Sequence, residues 1–496
     1  MLLLFGRPAN AAEEYSPVGL SAPQVFALNR HATGELQQGA YHTVTQTTSD
    51  RGEVWTAESY LDAGNYRTTV RVGDFVWAGG RYDGRAWSRD PNGFMRRSTN
   101  FFFQTDPFAT SLRAPQNPAS GVKVVGETTS PPLQIVIEIT PSKGLLERRY
   151  YDAGTYLLSK VQMIDFDGHR QAWLYDSYRK FSGLNVPQLV RYERDGSAVT
   201  GQTQLVTYDR VTAGMPSLAV PPSRPLFDMG AADEVTIPAQ FTPAGIIVPV
   251  VIGGRTLDFL LDSGSSEMLL DPGVAQSLGM QTIGATQPSF AGDFTLANTH
   301  APSIGVGVLS AANVAFSTAH FEEDLPGRRV VGLLGTDFIA SGLLEVSFET
   351  QRLTVLRSLP ADLAARGWSP LPLRLDENVP MVKVTFSGID GYFVADQSML
   401  FPHYFARFPN RVPRGTPGWG ELVGIGNRPF GVKSITMRDM VLGDWVFAEA
   451  QVVVPSVQYA QDRGYDGLIG RNTLANFDLI FDYADSQLWF KPIDFK

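Results

Sequence analysis

The stretch Phe259-Leu260-Leu261-Asp262-Ser263-Gly264-Ser265-Ser266 runs an apolar segment straight into an aspartate and a turn of small residues. The same order returns at Phe393-Val394-Ala395-Asp396-Gln397-Ser398. The two aspartates lie 134 positions apart. The segments Gly332-Leu333-Leu334-Gly335 and Gly467-Leu468-Ile469-Gly470 lie 135 apart. Two landmarks at almost one offset mark a duplicated unit, each copy delivering one carboxylate from the end of a buried strand.

The surroundings of each aspartate repeat as well. In the first copy, 248–252 meets Gly253-Gly254 and continues as 256–261; a Gly-Gly pair between apolar runs signals a hairpin. In the second copy, 381–386 turns at Ser387-Gly388-Ile389-Asp390-Gly391 into 392–395. A short helix is expected at 273–278, stopped by Gly279. Short helical pieces are expected after Gly335 and Gly470. Strands at 343–348 and 477–482 follow, and each copy closes on one more strand, 353–356 and 488–490.

The chain upstream reads differently. From about 23 to 212 apolar and polar residues alternate, as in Gln134-Ile135-Val136-Ile137-Glu138-Ile139, which argues for antiparallel strands with one buried face. Turn signals such as Asp83-Gly84, Pro91-Asn92-Gly93 and Asp195-Gly196 separate them. The stretch 107–130, rich in Pro, Ser and Gly, is expected to be a long loop. Four prolines within 216–225 read as a stiff linker. The expected division is therefore 1–22 signal-like or disordered, 23–215 an N-terminal antiparallel β domain, 216–234 linker, 235–358 first lobe, 359–370 linker, and 371–496 second lobe.

Composition agrees with a mostly β chain. Of 496 residues, 43% are hydrophobic and only 18% charged, with 48 Gly and 33 Pro, which favours short strands and turns over long ion-paired helices. The net charge of −9 and the lack of a basic stripe argue against nucleic acid as a partner. Without cysteine there are no disulfides, thiolate metal sites or cysteine nucleophile. The six histidines (His31, His42, His169, His300, His320 and His403) form no metal-ligand pair at helical spacing. No metal and no organic cofactor is expected. No Gly-x-Ser-x-Gly elbow and no phosphate-cradling loop occurs. Met1 to Gly6 followed by Ala9-Asn10-Ala11 reads either as the end of an export signal whose start lies upstream or as a chance apolar start on a cytoplasmic protein; the first is favoured, so a periplasmic or secreted location is expected. No later stretch has the roughly 20 apolar residues of a membrane span.

With these residues in view, 235–492 resembles the pepsin and retropepsin-like aspartic peptidases, whose lobes carry an Asp-Thr/Ser-Gly turn and a later apolar-apolar-Gly element. Asp262-Ser263-Gly264 matches the first. Gly332-Leu333-Leu334-Gly335-Thr336-Asp337 and Leu468-Ile469-Gly470-Arg471-Asn472 resemble the second. The resemblance implies a bilobal double-β-barrel module in which Asp262 and Asp396 share one proton, because two carboxylates about 3 Å apart do not easily both ionise. One would activate water while the other protonates the carbonyl oxygen. It further implies that Gly264 lets backbone approach the carboxylates, that the Ser263 hydroxyl cross-links the lobes, and that the Ser265 hydroxyl bonds the outer oxygen of Asp262. Substrate-covering hairpins would lie near 290–299 and 419–429. Asp337 and Asn472 are expected to be structural hydrogen-bonding residues. Both lobes on one chain imply a monomer holding an internal pseudo-dimer, with a peptide or protein as substrate.

The second copy departs from that pattern. Gln397 stands where the family keeps Thr or Ser, and Ser398 where it keeps Gly. Gln is too long to reproduce a small buried hydroxyl link. A Cβ at Ser398 would add strain of about 1–2 kcal/mol if its backbone were left-handed. A peptide-binding pseudopeptidase is therefore a second reading. A third reading comes from the N-terminal region, which faintly resembles periplasmic lipoprotein-carrier half-barrels around Tyr178-Arg179-Lys180-Phe181-Ser182-Gly183-Leu184-Asn185-Val186-Pro187, and would make the chain a carrier of an apolar ligand.

Overall fold

The computed structural model describes residues 14–34, 39–49, 52–62, 64–98, 121–140, 146–164, 170–198, 202–286, 296–319, 324–325, 328–376, 378–399, 403–404, 418–423, 429–455 and 465–493. The chain is mostly β and forms two compact units. One is Met1–Val54 with Gln104–Met215, the other Trp55–Phe103 with Pro216–Lys496. Sequence order and compact unit thus part company at 55–98, which packs with the residues beyond the linker.

The first unit is an antiparallel sheet in which Val122–Thr128, Gln134–Ile139, Glu147–Asp152, Leu158–Ile164, Arg170–Asp176, Leu189–Arg194, Thr203–Val211 and Ala40–Thr48 follow one another. The alternation expected there is present: Tyr41, Thr43 and Thr45 are buried while their neighbours are half-exposed. Its helix, Ala22–Thr33, was not expected in a region read as strands. Its start signal is Ser21 followed three residues on by Gln24, whose Oε1 accepts the Ser21 N–H at 2.8 Å, half of a capping box. The helix packs Phe26 edge-on to Tyr151 at 6.2 Å.

The second unit holds the duplicated module. In the first lobe Arg255–Leu261 pairs in parallel with Gly332–Leu334, with Phe259 opposite Gly332 and Leu261 opposite Leu334. In the second lobe Ile389–Ala395 pairs in parallel with Gly467–Ile469, with Phe393 opposite Gly467 and Ala395 opposite Ile469. The runs are apolar because neighbours cover both faces of a parallel pair. Phe259, Leu261, Phe393 and Ala395 are all buried. Each lobe's eight-stranded sheet closes on itself, through Gly245–Ile252 against Leu296–Val306 and through Val379–Phe386 against Pro429–Leu442. A six-stranded sheet of three strands from each copy joins the lobes, with Leu344, Glu345 and Val346 facing Phe481, Ile480 and Leu479. The expected helix is Pro272–Ser277, started by Asp271, whose side chain accepts the Val274 N–H at 3.0 Å. Thr336–Ile339 and Arg471–Leu474 are the short helices after the paired glycines.

The five strands of 55–98 form an arm of the second unit: Val54–Asp62, Asn65–Val72, Phe75–Tyr82, Arg85–Arg89 and Met95–Ser98, each paired with the next. Among the described residues no helix is long and apolar enough to cross a membrane.

Candidate active site

Each parallel pair ends by presenting its aspartate. The Asp262 N–H donates to the Leu334 carbonyl and the Asp396 N–H to the Ile469 carbonyl, both at 2.9 Å, so the turns leave their strands identically. The chain then folds back on the carboxylate it has delivered. Asp262 Oδ1 accepts the N–H groups of Gly264 (2.8 Å) and Ser265 (3.1 Å). Asp396 Oδ1 accepts the N–H groups of Ser398 (2.9 Å) and Met399 (3.3 Å).

The structure brings the two carboxylates together. A Cβ built at Gly264 would sit 2.5 Å from Asp396 Oδ2 and 3.3 Å from Asp262 Oδ1. Gly264 therefore occupies space that no side chain fits, as its place in the turn implied. A Cβ at Gly335 would meet the Glu267 carbonyl oxygen at 2.2 Å, so the paired glycine lets the turn pack against the short helix behind it.

Asp262 and Asp396 are 7% and 4% exposed. Burial is the chief cause that pushes Asp262 up, to about 7, and the charge of Asp396 adds to it; the N–H donors of Gly264 and Ser265 and the Ser398 hydroxyl only partly offset this. Asp396 is also raised, again by burial first, against the Ser398 donors, the Met399 N–H and the nearby Arg471 cation. Two buried carboxylates this close titrate as a pair rather than singly.

The cross-link between the lobes is one-sided. Ser263, fully buried, donates its hydroxyl to the Ala395 carbonyl at 2.7 Å and accepts the Gln397 N–H at 3.2 Å. Gln397 is 1% exposed, yet among the described residues its side-chain Nε2 and Oε1 have no hydrogen-bond partner. The opposite half of the link is missing because an amide on two methylenes does not reproduce a hydroxyl one carbon from the backbone.

Two expectations change. The Ser265 hydroxyl does not bond Asp262; it donates to the Glu267 carbonyl at 2.7 Å, closing its own turn, and only its N–H serves Asp262. Ser398 is not strained, since it lies outside the left-handed region. Its hydroxyl donates to Asp396 Oδ1 at 2.7 Å, a contact that glycine lacks. For the covering hairpins, 290–295 and 424–428 lie outside the described residues. The flanking strands, Thr282–Thr286 with Leu296–Val306 and Gly418–Val423 with Pro429–Leu442, are paired.

Residues 248–338 match the aspartyl protease family. Over that segment the chain is similar to the aspartyl proteases. Among solved structures, this chain with its aspartyl protease module is similar to the aspartic proteinase from Irpex lacteus, at 13% identity and TM-score 0.37, over 53% of this chain and 98% of that one. It is similar to Basic 7S globulin from soybean at 11% identity and TM-score 0.33, over 52% and 95%. It is also similar to a LolA superfamily protein from Nitrosomonas europaea at 10% identity and TM-score 0.31, over 39% and 96%. No curated protein matches.

Several residues of the aspartyl protease module escaped the sequence reading. Arg471, 7% exposed, donates to the Pro243 carbonyl, and its charge acts on Asp396. The Tyr483 hydroxyl is buried with no partner among the described residues, and its acidity is weakened by burial first and then by the charge of Asp262. Arg96 comes from the arm and contacts the Asp262 turn from outside. The nearest sequence signal for Arg471 is its place directly after Gly470. Arg96 lies 170 residues from the carbonyl it holds and has no signal.

Proposed function

We propose that the chain is an endopeptidase that hydrolyses peptide bonds with Asp262 and Asp396 as its catalytic pair. The observation that carries this reading is the approach of both carboxylates around Gly264, with burial and mutual repulsion keeping one proton on the pair. Asp262, the group held up to about 7, keeps the proton and donates it to the scissile carbonyl oxygen. Asp396, with the Arg471 cation nearby, is the base that takes a proton from the attacking water. The tetrahedral adduct then collapses: the C–N bond breaks as the proton gained by Asp396 passes to the leaving amine, and a hydroxyl of the adduct returns its proton to Asp262 as the C=O bond re-forms. No bond to the protein forms at any step. The substrate is an extended peptide bound between the lobes through main-chain pairing. Export to the periplasm or medium is part of the same proposal.

The test is cleavage of a mixed peptide library from pH 3 to 8 by wild type, Asp262→Asn and Asp396→Asn, read by mass spectrometry. Cleavage by wild type alone supports the reading. A second reading, a peptide-binding pseudopeptidase, draws on the unpartnered Gln397 amide; it predicts peptide binding with no cleavage at any pH.

A further inference from the structure

Behind the Asp262 turn lies a buried ionic cluster built from two distant parts of the second unit. Arg96, on the last strand of the arm, is 4% exposed. Its Nε and Nη2 both donate to the Ser266 carbonyl, at 3.1 and 2.8 Å. Nη2 also pairs with Asp90 Oδ2 at 2.9 Å and with Asp337 Oδ1 at 2.5 Å. Ser266 closes the turn whose inner N–H groups hold Asp262. The same carbonyl accepts the Thr336 hydroxyl at 3.0 Å, and the Thr336 N–H donates to the Ser265 carbonyl at 2.9 Å. The inner side of the turn thus grips the carboxylate, and the outer side is gripped by Arg96 and Thr336.

The arm is seated firmly enough to serve as an anchor. Asn92 caps the strand Leu309–Thr318 as another strand would, accepting the Ala315 N–H at 2.7 Å and donating to its carbonyl at 3.0 Å. The Met95 carbonyl accepts the Asn378 amide of the second lobe at 2.6 Å. Trp55, Trp77 and Phe75 stack in series, and Phe75 meets His300 at 4.3 Å between centroids. Asp90 is itself fixed by the Phe94 N–H at 2.8 Å. The second lobe does this differently: Arg471 takes the place of Thr336 in the repeat and braces its turn from within its own lobe, its N–H donating to the Met399 carbonyl at 2.6 Å.

We propose that Arg96 is a positioning residue for Asp262, so that the arm is a working part of the peptidase rather than an appendage. The proposal rests on the peptidase reading for its kinetic consequence, but its geometric content is independent of it. A guanidinium forks two donors onto one carbonyl while bridging two carboxylates; an ammonium keeps the charge and loses the fork.

The experiment compares wild type with Arg96→Lys, Thr336→Val and Asn92→Ala, the last loosening the arm without touching the turn. For each, kcat and KM are measured on a peptide that wild type cleaves. The Asp262 carboxyl is titrated by isotope-edited infrared difference against Asp262→Asn, and folding is followed by thermal melting. Arg96→Lys is expected to lower kcat about 10-fold with KM within about twofold, and to shift the Asp262 titration. Thr336→Val does the same more weakly and decides the matter if Arg96→Lys does not fold. Asn92→Ala removes one seating contact and lowers the melting temperature, but the Asn378 amide and the aromatic stack still hold the arm, so kcat and the titration stay within about twofold of wild type. Wild-type kcat and titration in Arg96→Lys, or equal losses in Asn92→Ala and Arg96→Lys, would overturn the proposal. If wild type cleaves no peptide, the peptidase reading fails by itself. The Asp262 titration then still decides: a shift in Arg96→Lys supports positioning, and no shift overturns it.

Discussion

The two lobes solve one problem with different parts. Both end a parallel strand pair with an aspartate held by two backbone N–H groups of its own turn. In the first lobe the turn is Ser-Gly, its hydroxyl reaches across to the other lobe, and its outer side is braced by an arginine from the arm. In the second lobe the turn is Gln-Ser, its amide reaches nothing, and its neighbouring arginine, Arg471, belongs to the lobe itself. The difference teaches that delivery of a carboxylate depends on the backbone, which both copies keep, whereas the side-chain links around it can be redistributed. Ser398 shows how: the added Cβ fits without left-handed backbone, and its hydroxyl gives Asp396 a donor that Asp262 does not get from its own turn.

The sharpest way to break the comparison is to remove either acid. Asp262→Asn and Asp396→Asn should each lower kcat about 10³-fold or more, since acid and base act on the same carbonyl and neither substitutes for the other. A large loss in only one variant would mean the lobes are not partners. Next, Gly264→Ala should cost about 10²-fold in kcat, because its Cβ would lie 2.5 Å from Asp396 Oδ2. Ser398→Gly, the corresponding change on the other side, should keep the fold and change kcat by less than about 10-fold while moving the pH profile, because it removes one donor and creates no clash.

That contrast also shows what was legible in the sequence. The hairpins, the short helices and both aspartates could be read because strand delivery leaves a local trace, an apolar run, Asp, and a glycine at fixed distance; the parallel pairing of that run with the Gly element could not, because pattern does not give a strand's partner. The Ser265 hydroxyl was misassigned because its partner, the Glu267 carbonyl, is backbone, and sequence pattern does not say which carbonyl a turn exposes. Arg96 was invisible because nothing in Met95-Arg96-Arg97-Ser98 marks an arginine that reaches a carbonyl 170 residues away. The helix Ala22–Thr33 was hidden by the alternating strands after it, although Ser21 and Gln24 carried its start signal.

A smaller effect sharpens the asymmetric link. Gln397→Thr should raise stability by about 1 kcal/mol, because it removes two buried amide atoms without partners and restores a hydroxyl at the interface. Ser263→Ala should destabilise by about 1–3 kcal/mol, leaving the buried Ala395 carbonyl and Gln397 N–H without that partner. Thermal melts of the two variants and their double mutant would give the coupling between the halves.

The subtlest prediction concerns pH. The unfolded chain releases the Asp262 proton near 3.8, while the folded chain keeps it to about 7. Between those values the unfolded state binds fewer protons, so this group's contribution to stability is fully present below about pH 4 and is lost as pH rises toward about 7. Denaturant midpoints across that window should fall with a slope that Asp262→Asn reduces.

The most direct test of the central claim is peptide cleavage by the wild-type chain in the window where the pair holds one proton. The account predicts hydrolysis that declines above about pH 7 and disappears in both Asp→Asn variants. Cleavage that survives in Asp262→Asn, or its complete absence in folded wild type from pH 3 to 8, would contradict it.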